Sequence, residues 1–117
     1  MKITKRMKKI LLFLLHPEKV VRRYDADTIG GWPYGRIMSE CERKERFQHS
    51  EVVSYLRTFR ILENLGFIAR ERVFLNYSRT FCFSLTAEGR KRAEIIEKEI
   101  QDFINEYKDL LVLYARI

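Results

Sequence analysis

Residues 62–70 read LENLGFIAR, and within this stretch the spacing of apolar side chains changes from a helical to a strand period. Before Gly66, apolar residues recur every three or four positions, as on one face of an α-helix. Glycine is common just after a helix end because it adopts positive φ without steric cost. After Gly66, residues 68–75 are rich in β-branched and aromatic types, which favour strands. The stretch therefore predicts a helix that ends at Gly66 and leads directly into a β-strand.

The helix before Gly66 is predicted over about residues 50–65, with the Ser50 hydroxyl as its N-cap. Its buried ridge is predicted to comprise Val52, Tyr55, Leu56, Phe59 and Leu62. The opposite face is polar and basic except for Val53 and Ile61, for which the sequence offers no core role. This face comprises Ser50, Val53, Ser54, Arg57, Arg60, Ile61 and Asn64.

The strand after Gly66 is predicted to form a β-hairpin over residues 67–85, with strands at 68–75 and 79–85. The tetrad NYSR at 76–79 supplies residues typical of a turn. In the second strand, alternation places Phe81, Phe83 and Leu85 on one face and Thr80, Cys82 and Ser84 on the other. Thr86 is the predicted N-cap of a final helix.

Two further helices are predicted upstream. Apolar spacing indicates a first helix over about residues 3–16, stopped by Pro17, with a short turn near 18–23. A second helix over 34–46 is expected to bury Ile37, Met38 and Cys41. Between them, residues 25–35 carry the Gly and Pro of a loop. Its aromatic residues, Trp32 and Tyr34, either cover a ligand pocket or close the core as a plug.

The final helix has a heptad seam with spacings that alternate between three and four residues. The seam comprises Ala93, Ile96, Ile100, Phe103, Tyr107, Leu110 and Tyr114. Three heptads span roughly 33 Å at 1.5 Å per residue, which is longer than so small a domain covers. The seam predicts a homodimer interface, and the alternative is that the helix packs back along the first helix of its own chain.

Length and composition predict one globular unit. The chain has 117 residues, 46% hydrophobic and 33% charged, which is too apolar for intrinsic disorder. We expect a compact unit in which residues 1–92 form the main domain and 87–117 the dimerisation helix. The run at 10–15 is far shorter than the ~20 apolar residues that span a bilayer, so the predicted location is the cytoplasm.

Positive charge is concentrated in two segments of this basic chain, whose net charge is +7. Residues 1–16 carry five cations and no carboxylate, and residues 69–92 carry six cations against two carboxylates. Residues 93–117 are acidic, with six carboxylates against three cations. Clustered cations in a basic domain are typical of nucleic-acid binding, and also of an ordinary solvated surface.

The sequence predicts neither catalysis nor a metal or other cofactor. His16 and His49 belong to no HExxH, nucleophile-elbow or phosphate-loop pattern. Cys41 and Cys82 form no CxxC pair, so zinc-finger and thioredoxin interpretations fail. Buried thiols are the simpler interpretation. Scarce Asn and Gln resemble thermophile usage, and in such a cytosol a disulfide is the alternative.

Two strings resemble the winged helix-turn-helix of MarR-like and PadR-like regulators. Residues 62–70 are similar to the end of the recognition helix and the entry to the wing, and FSLTAEG at 83–89 is similar to the exit from the wing. The resemblance covers about residues 34–92, and small basic winged-helix proteins of archaea and their viruses are similar in size. It implies an α+β, mostly α fold with a two-stranded wing and a long C-terminal helix. It also implies a homodimeric regulator of transcription, a repressor, that binds specific double-stranded DNA.

The resemblance assigns DNA contacts to the third helix and the wing. In the helix, Arg57 is the candidate for pairing with a guanine edge, and Arg60 for phosphate. In the wing, Arg70 and Arg72 share one strand face and Tyr77, Ser78 and Arg79 lie at the tip. The full expected set is His49, Ser50, Ser54, Arg57, Thr58, Arg60, Arg70, Arg72, Tyr77, Ser78 and Arg79. The cations of the first helix, Lys5, Arg6, Lys8 and Lys9, line phosphates, border a dimer interface or are simply solvated.

Two other functions stay open. A winged-helix module that binds a protein would use Val53 and Ile61 as its apolar contacts. A non-specific architectural DNA-binding protein would show no preference among duplexes. Regulators of this type often sense small molecules, but no residue pattern here identifies such an effector.

Overall fold

The computed structural model describes residues 2–20, 31–75 and 78–117, with side chains except at 19, 20 and 73–80. Its element order confirms the predicted α+β winged-helix architecture, with a hairpin between the third long helix and a long C-terminal helix. The elements are α1 (Lys5–Leu15), α2 (Pro17–Val20), β1 (Trp32–Pro33), α3 (Tyr34–Glu42), α4 (His49–Asn64), β2 (Ile68–Leu75), β3 (Ser78–Leu85) and α5 (Ala87–Tyr114).

The C-terminal end of α4 is formed as the sequence predicts. Gly66 has a φ of 79°. Its N–H donates to the Glu63 carbonyl at 3.0 Å, and the Phe67 N–H donates to the Leu62 carbonyl at 3.0 Å. These two bonds satisfy carbonyls that a helix end otherwise leaves unpaired, and they form a Schellman motif. The motif turns the chain directly into β2.

The beginning of α4 differs from the prediction. The helix begins at His49 with Gln48 as its N-cap, so Ser50 is not the capping residue. The Gln48 N–H donates to the Glu51 carboxylate at 3.0 Å, and Lys44 pairs with the same carboxylate. These bonds hold the pKa of Glu51 below its usual value, the Lys44 contact being the larger cause. A carboxylate in the first turn also interacts favourably with the helix dipole and so stabilises the helix.

The sheet has three antiparallel strands in the order β1-β3-β2, one more than predicted. Trp32 and Pro33 pair with Phe83 and Cys82. This makes β3 the central strand, and α1, α3 and α5 all contact it. Cys82, predicted to share a strand face with Thr80 and Ser84, is completely buried, in agreement with its interpretation as a buried thiol.

The core lies between the helices and one face of the sheet. It includes Ile10 and Leu11 of α1, Phe59 of α4, and Ala93 and Ile96 of α5. Trp32 closes this core, with its ring perpendicular to that of Phe13 at 5.4 Å between centroids. Of the two interpretations of this residue, the structure supports the aromatic plug.

The other helix ends shift by a few residues from the prediction. In α1, the Thr4 hydroxyl accepts from the Met7 N–H at 3.3 Å and sets the start at Lys5. In α3, the helix ends at Glu42 because Arg43 takes a left-handed conformation with a φ of 56°. The first turn of the predicted 18–23 piece belongs to α2, and residues 21–30, with most of the loop at 25–35, lie outside the described residues.

Candidate nucleic-acid interface

Helix α4 is fixed by aromatic packing on its inner face. The Phe59 ring stacks on that of Phe83 with centroids 4.6 Å apart and planes 5° apart. The Tyr55 ring lies 6.1 Å from that of Phe59, and the Arg6 guanidinium of α1 lies 4.9 Å from the Tyr55 ring centre. Aromatic pairs of this kind contribute about 0.5–1.5 kcal/mol beyond the area they bury. They hold the opposite face of α4 toward solvent.

A polar contact joins α4 to α3 and α1. The Tyr55 hydroxyl donates to the Glu42 carboxylate, and the Lys9 ammonium donates to the same oxygen at 3.4 Å. The hydrogen bond from Tyr55, followed by the Lys9 contact, holds the pKa of Glu42 below its usual range, against the effect of burial. Burial and the bond to Glu42 raise the pKa of Tyr55. The tyrosine therefore stays neutral and the glutamate stays ionised at neutral pH.

The outer face of α4 presents most of the predicted contact residues. His49, Ser50, Arg57 and Arg60 are exposed, and Ser54 is half-buried. Both carboxylates of α4 are ion-paired: Glu51 pairs with Lys44 and Glu63 pairs with Arg70. The exposed face consequently carries positive charge without a competing carboxylate.

Three side chains of α4 lie on faces other than the predicted ones. Thr58, a predicted contact residue, is only 8% exposed, and its hydroxyl donates to the Ser54 carbonyl at 3.0 Å. Leu56, predicted to be buried, is 42% exposed. Ile61, predicted to lack a core role, packs against the core. We therefore remove Thr58 from the candidate interface.

The wing carries two cations held over one aromatic ring. The guanidinium groups of Arg70 and Arg72 lie 4.9 and 5.2 Å from the Phe81 ring centre. The Arg70 Nε also lies 3.2 Å from the Glu63 carboxylate of α4. The register pairs Arg72 with Phe81 and Arg70 with Phe83, so both arginines share a strand face, as predicted. Tyr77 and the side chains of Ser78 and Arg79 lie outside the described part of the chain.

A groove of about 280 Å³ separates α4 from the wing. Its walls are aromatic, and cations from both elements border it. The lining residues include Tyr34, Arg60, Glu63, Arg70, Phe81 and Phe83. Arg60 of α4 and Arg70 of β2 border the same groove, which Glu63, the partner of Arg70, also lines, so the exposed helix face and the wing meet at this groove.

The cations of α1 divide between internal and solvent contacts. Arg6 lies over Tyr55 and Lys9 contacts Glu42, so both of these cations help hold α4 in place. Lys5 is exposed and Lys8 is half-buried.

The C-terminal half of α5 leaves the body of the domain. Ala93 and Ile96 are buried in the core of their own chain, so we remove both from the predicted interface with a second copy. Glu97 pairs with His16 at the end of α1. From Glu97 to Ile117 every residue is exposed, including five seam residues: Ile100, Phe103, Tyr107, Leu110 and Tyr114. This part of the helix does not pack back along α1.

Within the described ranges, no group of three or more His, Cys, Asp or Glu side chains is arranged to hold a metal ion. In the same residues, no helix combines the length and hydropathy that crossing a bilayer requires. Cys41 and Cys82 are free thiols. Burial raises the pKa of Cys41 to about 12 and also raises that of Cys82, which disfavours the reactive thiolate.

Two solved structures are similar to this chain. The protein smu.1704 from Streptococcus mutans UA159 is 15% identical, with a TM-score of 0.58, over 100% of this chain and 95% of that chain. NadR in complex with 4-hydroxyphenylacetate is 23% identical, with a TM-score of 0.55, over 97% of this chain and 75% of that chain. No protein-family model and no curated protein sequence matches this chain. At these identities the likeness shows a shared fold.

Proposed function

We propose that this chain is a transcription regulator that binds specific double-stranded DNA as a homodimer. The observation that carries the proposal is the set of exposed arginines on α4 and the wing, Arg57, Arg60, Arg70 and Arg72, of which Arg60 and Arg70 border one groove. In the winged-helix arrangement, α4 enters the major groove and the wing lies along the backbone. NadR, solved in complex with 4-hydroxyphenylacetate, shares the fold. The link to archaeal regulators stays a prediction.

Each side chain of this surface has a proposed role. Arg57 pairs with a guanine edge, and Ser50 and Ser54 contact neighbouring bases or phosphates from the first half of α4. His49 lies at the first residue of the helix, where it reaches phosphate, as does Arg60. Arg70 and Arg72 are held over Phe81 and contact the backbone beside the groove that α4 enters. Tyr77, Ser78 and Arg79 of the wing tip complete the proposed contact set.

Selection of bound duplexes from genomic DNA by the purified full chain tests the proposal. At about 150 mM salt, weak non-specific binding is largely suppressed. We expect enrichment of an inverted repeat whose half-sites lie about 10 base pairs apart, one helical turn. Binding without enrichment would support the architectural protein instead. Failure to bind any duplex would support a protein-binding module.

The groove between α4 and the wing is the proposed site for a small-molecule effector. Its aromatic walls suit a planar ring, and Arg60 suits an anionic group. The ligand in the NadR structure, 4-hydroxyphenylacetate, has both features and is the first compound to test. Addition of this compound to the selected complex should release the duplex. Unchanged binding at saturating concentration would exclude this compound as the effector.

A further inference from the structure

Two large apolar side chains of α4 face solvent without a structural reason to do so. Val53 is 38% and Leu56 is 42% exposed, whereas Tyr55, Phe59 and Leu62 of the same helix are buried. Val52 and Ile61 pack against the core from its edge. The inner face of α4 is thus complete without Val53 and Leu56.

Val53 lies at the centre of the exposed face. At 100° per residue, Ser50, Val53, Arg57 and Arg60 fall within one arc of the helix, with Val53 between the two arginines. Leu56 lies at the side of this arc nearest the wing, where it lines the groove with Phe81. A surface that binds only phosphates would have polar side chains at its centre.

The charge around these two residues favours a polyanion over an apolar protein surface. Arg57 and Arg60 flank Val53, and both carboxylates of α4 are paired with Lys44 and Arg70. A protein that covered Val53 would bury these cations unless it supplied carboxylates at matching positions. Double-stranded DNA satisfies both requirements, since phosphates surround the major groove and the thymine C5-methyl group is the apolar feature within it.

We propose that Val53 and Leu56 contact thymine methyl groups in the major groove and select sites that carry thymine opposite the centre of α4. This inference rests on the proposed function and adds the bases read by the apolar part of the helix. Val53 contacts a methyl group between the bases reached by Ser50 and Arg57. Leu56 contacts a second methyl group on the side nearest the wing.

Replacement of thymine by deoxyuridine tests the inference, because it removes the methyl group and keeps the base pair. The probe is a duplex selected by the full chain, in which each thymine is replaced singly. At the contacted positions we expect about fourfold weaker binding per methyl group, the ratio that corresponds to about 0.8 kcal/mol for one buried carbon. For each variant, Val53→Ala and Leu56→Ala, there should be one contacted position at which replacing thymine by uridine no longer weakens binding.

The variants are suited to the test because both positions are exposed and alanine favours a helix. Circular dichroism should show an unchanged fold. Ile95→Ala is the matched control, since Ile95 is an exposed apolar residue of α5, and it should keep the fourfold loss with uridine.

Four outcomes decide the matter. A loss with uridine that disappears in Val53→Ala or Leu56→Ala supports the inference. If uridine leaves tight binding unchanged at every position, the inference is overturned while the proposed DNA-binding function stands. A loss with uridine that persists in both variants has the same meaning. If the chain selects no duplex at all, the proposed function fails, and this inference fails with it.

Discussion

At the residue scale, the faces of α4 show where hydropathy is a good guide to burial and where it is not. Tyr55, Phe59 and Leu62 were predicted to be buried, and they are. Leu56, which was predicted to be buried, is exposed, and Thr58, which was predicted to contact DNA, is buried. Thr58 tolerates burial because its hydroxyl donates to the Ser54 carbonyl, which removes the penalty for an unpaired polar group. A pattern of residue types does not reveal such a bond in advance.

The contact between Tyr55 and Glu42 predicts a pH-dependent effect on stability. Tyr55→Phe keeps the ring and removes the hydrogen bond that lowers the pKa of Glu42. Because that pKa is lowered on folding, its contribution is complete above the unfolded value of about 4.3 and disappears as pH falls through the folded value. We expect Tyr55→Phe to reduce the free energy of unfolding by about 1–2 kcal/mol at pH 7, with a difference that shrinks toward pH 3.

Urea unfolding across this pH range measures the effect of Tyr55→Phe. Tyr114→Phe is the control, because Tyr114 is exposed near the end of α5 and its hydroxyl should contribute little at any pH. A Tyr55→Phe difference that is independent of pH would show that the lost energy does not come from the ionised Glu42.

The role of Arg57 predicts a loss of both affinity and selectivity. A bidentate pair with guanine distinguishes the correct base by about 1–3 kcal/mol, so Arg57→Ala should bind the selected duplex about 5- to 150-fold more weakly. It should also bind duplexes with other bases at the position of that guanine about as tightly as the selected duplex. Lys98→Ala removes the same charge from an exposed position of α5 and should lose little. Equal losses in the two variants would indicate that Arg57 acts only through net charge.

At the element scale, the junction between β2 and α5 depends on close backbone contact. Thr86 caps α5, its hydroxyl accepting from the Gly89 N–H at 3.0 Å, as the sequence predicted. The Phe67 carbonyl accepts from the Thr86 N–H at 3.1 Å, which joins the first turn of α5 to the beginning of the wing. A Cβ atom added to Gly89 would overlap the same Phe67 carbonyl.

A pair of glycine variants tests this junction. Gly89→Ala should lower the free energy of unfolding by about 1–3 kcal/mol, the usual cost of overpacking, even though alanine favours a helix. Gly35→Ala is the matched control, because Gly35 lies in α3 with no atom within 4 Å of an added Cβ. It should be neutral or stabilising by up to about 1 kcal/mol. Chemical unfolding of both variants measures the contrast, and a stabilising Gly89→Ala would disprove the close contact.

The elements that the sequence predicts best are those with several turns or several alternating residues. The wing, α4 and α5 have enough repeats of their apolar period to be recognised. Strand β1 consists of Trp32 and Pro33 alone, which is too short for a period and is fixed by pairing with β3. The end of α3 depends on the left-handed backbone of Arg43, and arginine is not a residue that signals this conformation. The first feature depends on a distant strand, and the second on a backbone conformation that the residue type does not announce.

At the scale of the whole molecule, the chain is longer than a compact domain of its size. The radius of gyration is 16.3 Å, and the extents are 58 × 31 × 29 Å, whereas a compact chain of this length has a radius of about 13 Å. The exposed end of α5 accounts for the difference. Its large apolar residues are at least 41% exposed from Ile100 onward, and a contiguous exposed apolar surface is typical of an interaction site.

The heptad seam predicts that a second copy covers this end of α5. The rings of Phe103 and Tyr107 lie side by side along α5, with centroids 4.4 Å apart and planes tilted by 31°, and Ile100, Leu110 and Tyr114 continue the same stripe. Phe103→Glu combined with Leu110→Glu places charge in the seam and should yield a monomer. Sedimentation equilibrium should give twice the chain mass of 14.2 kDa for the wild type and a single chain mass for this variant.

A matched pair on the opposite side of α5 distinguishes the seam from a general effect of charge. Asn105→Glu with Val112→Glu has the same seven-residue spacing, and both positions lie opposite the seam on the heptad. This pair should remain dimeric. A dimer that survives charge in the seam would place the contact elsewhere on the molecule. If the seam variant is a monomer, its binding to the inverted repeat should weaken and its salt dependence should become shallower, because each copy then neutralises the phosphates of one half-site only.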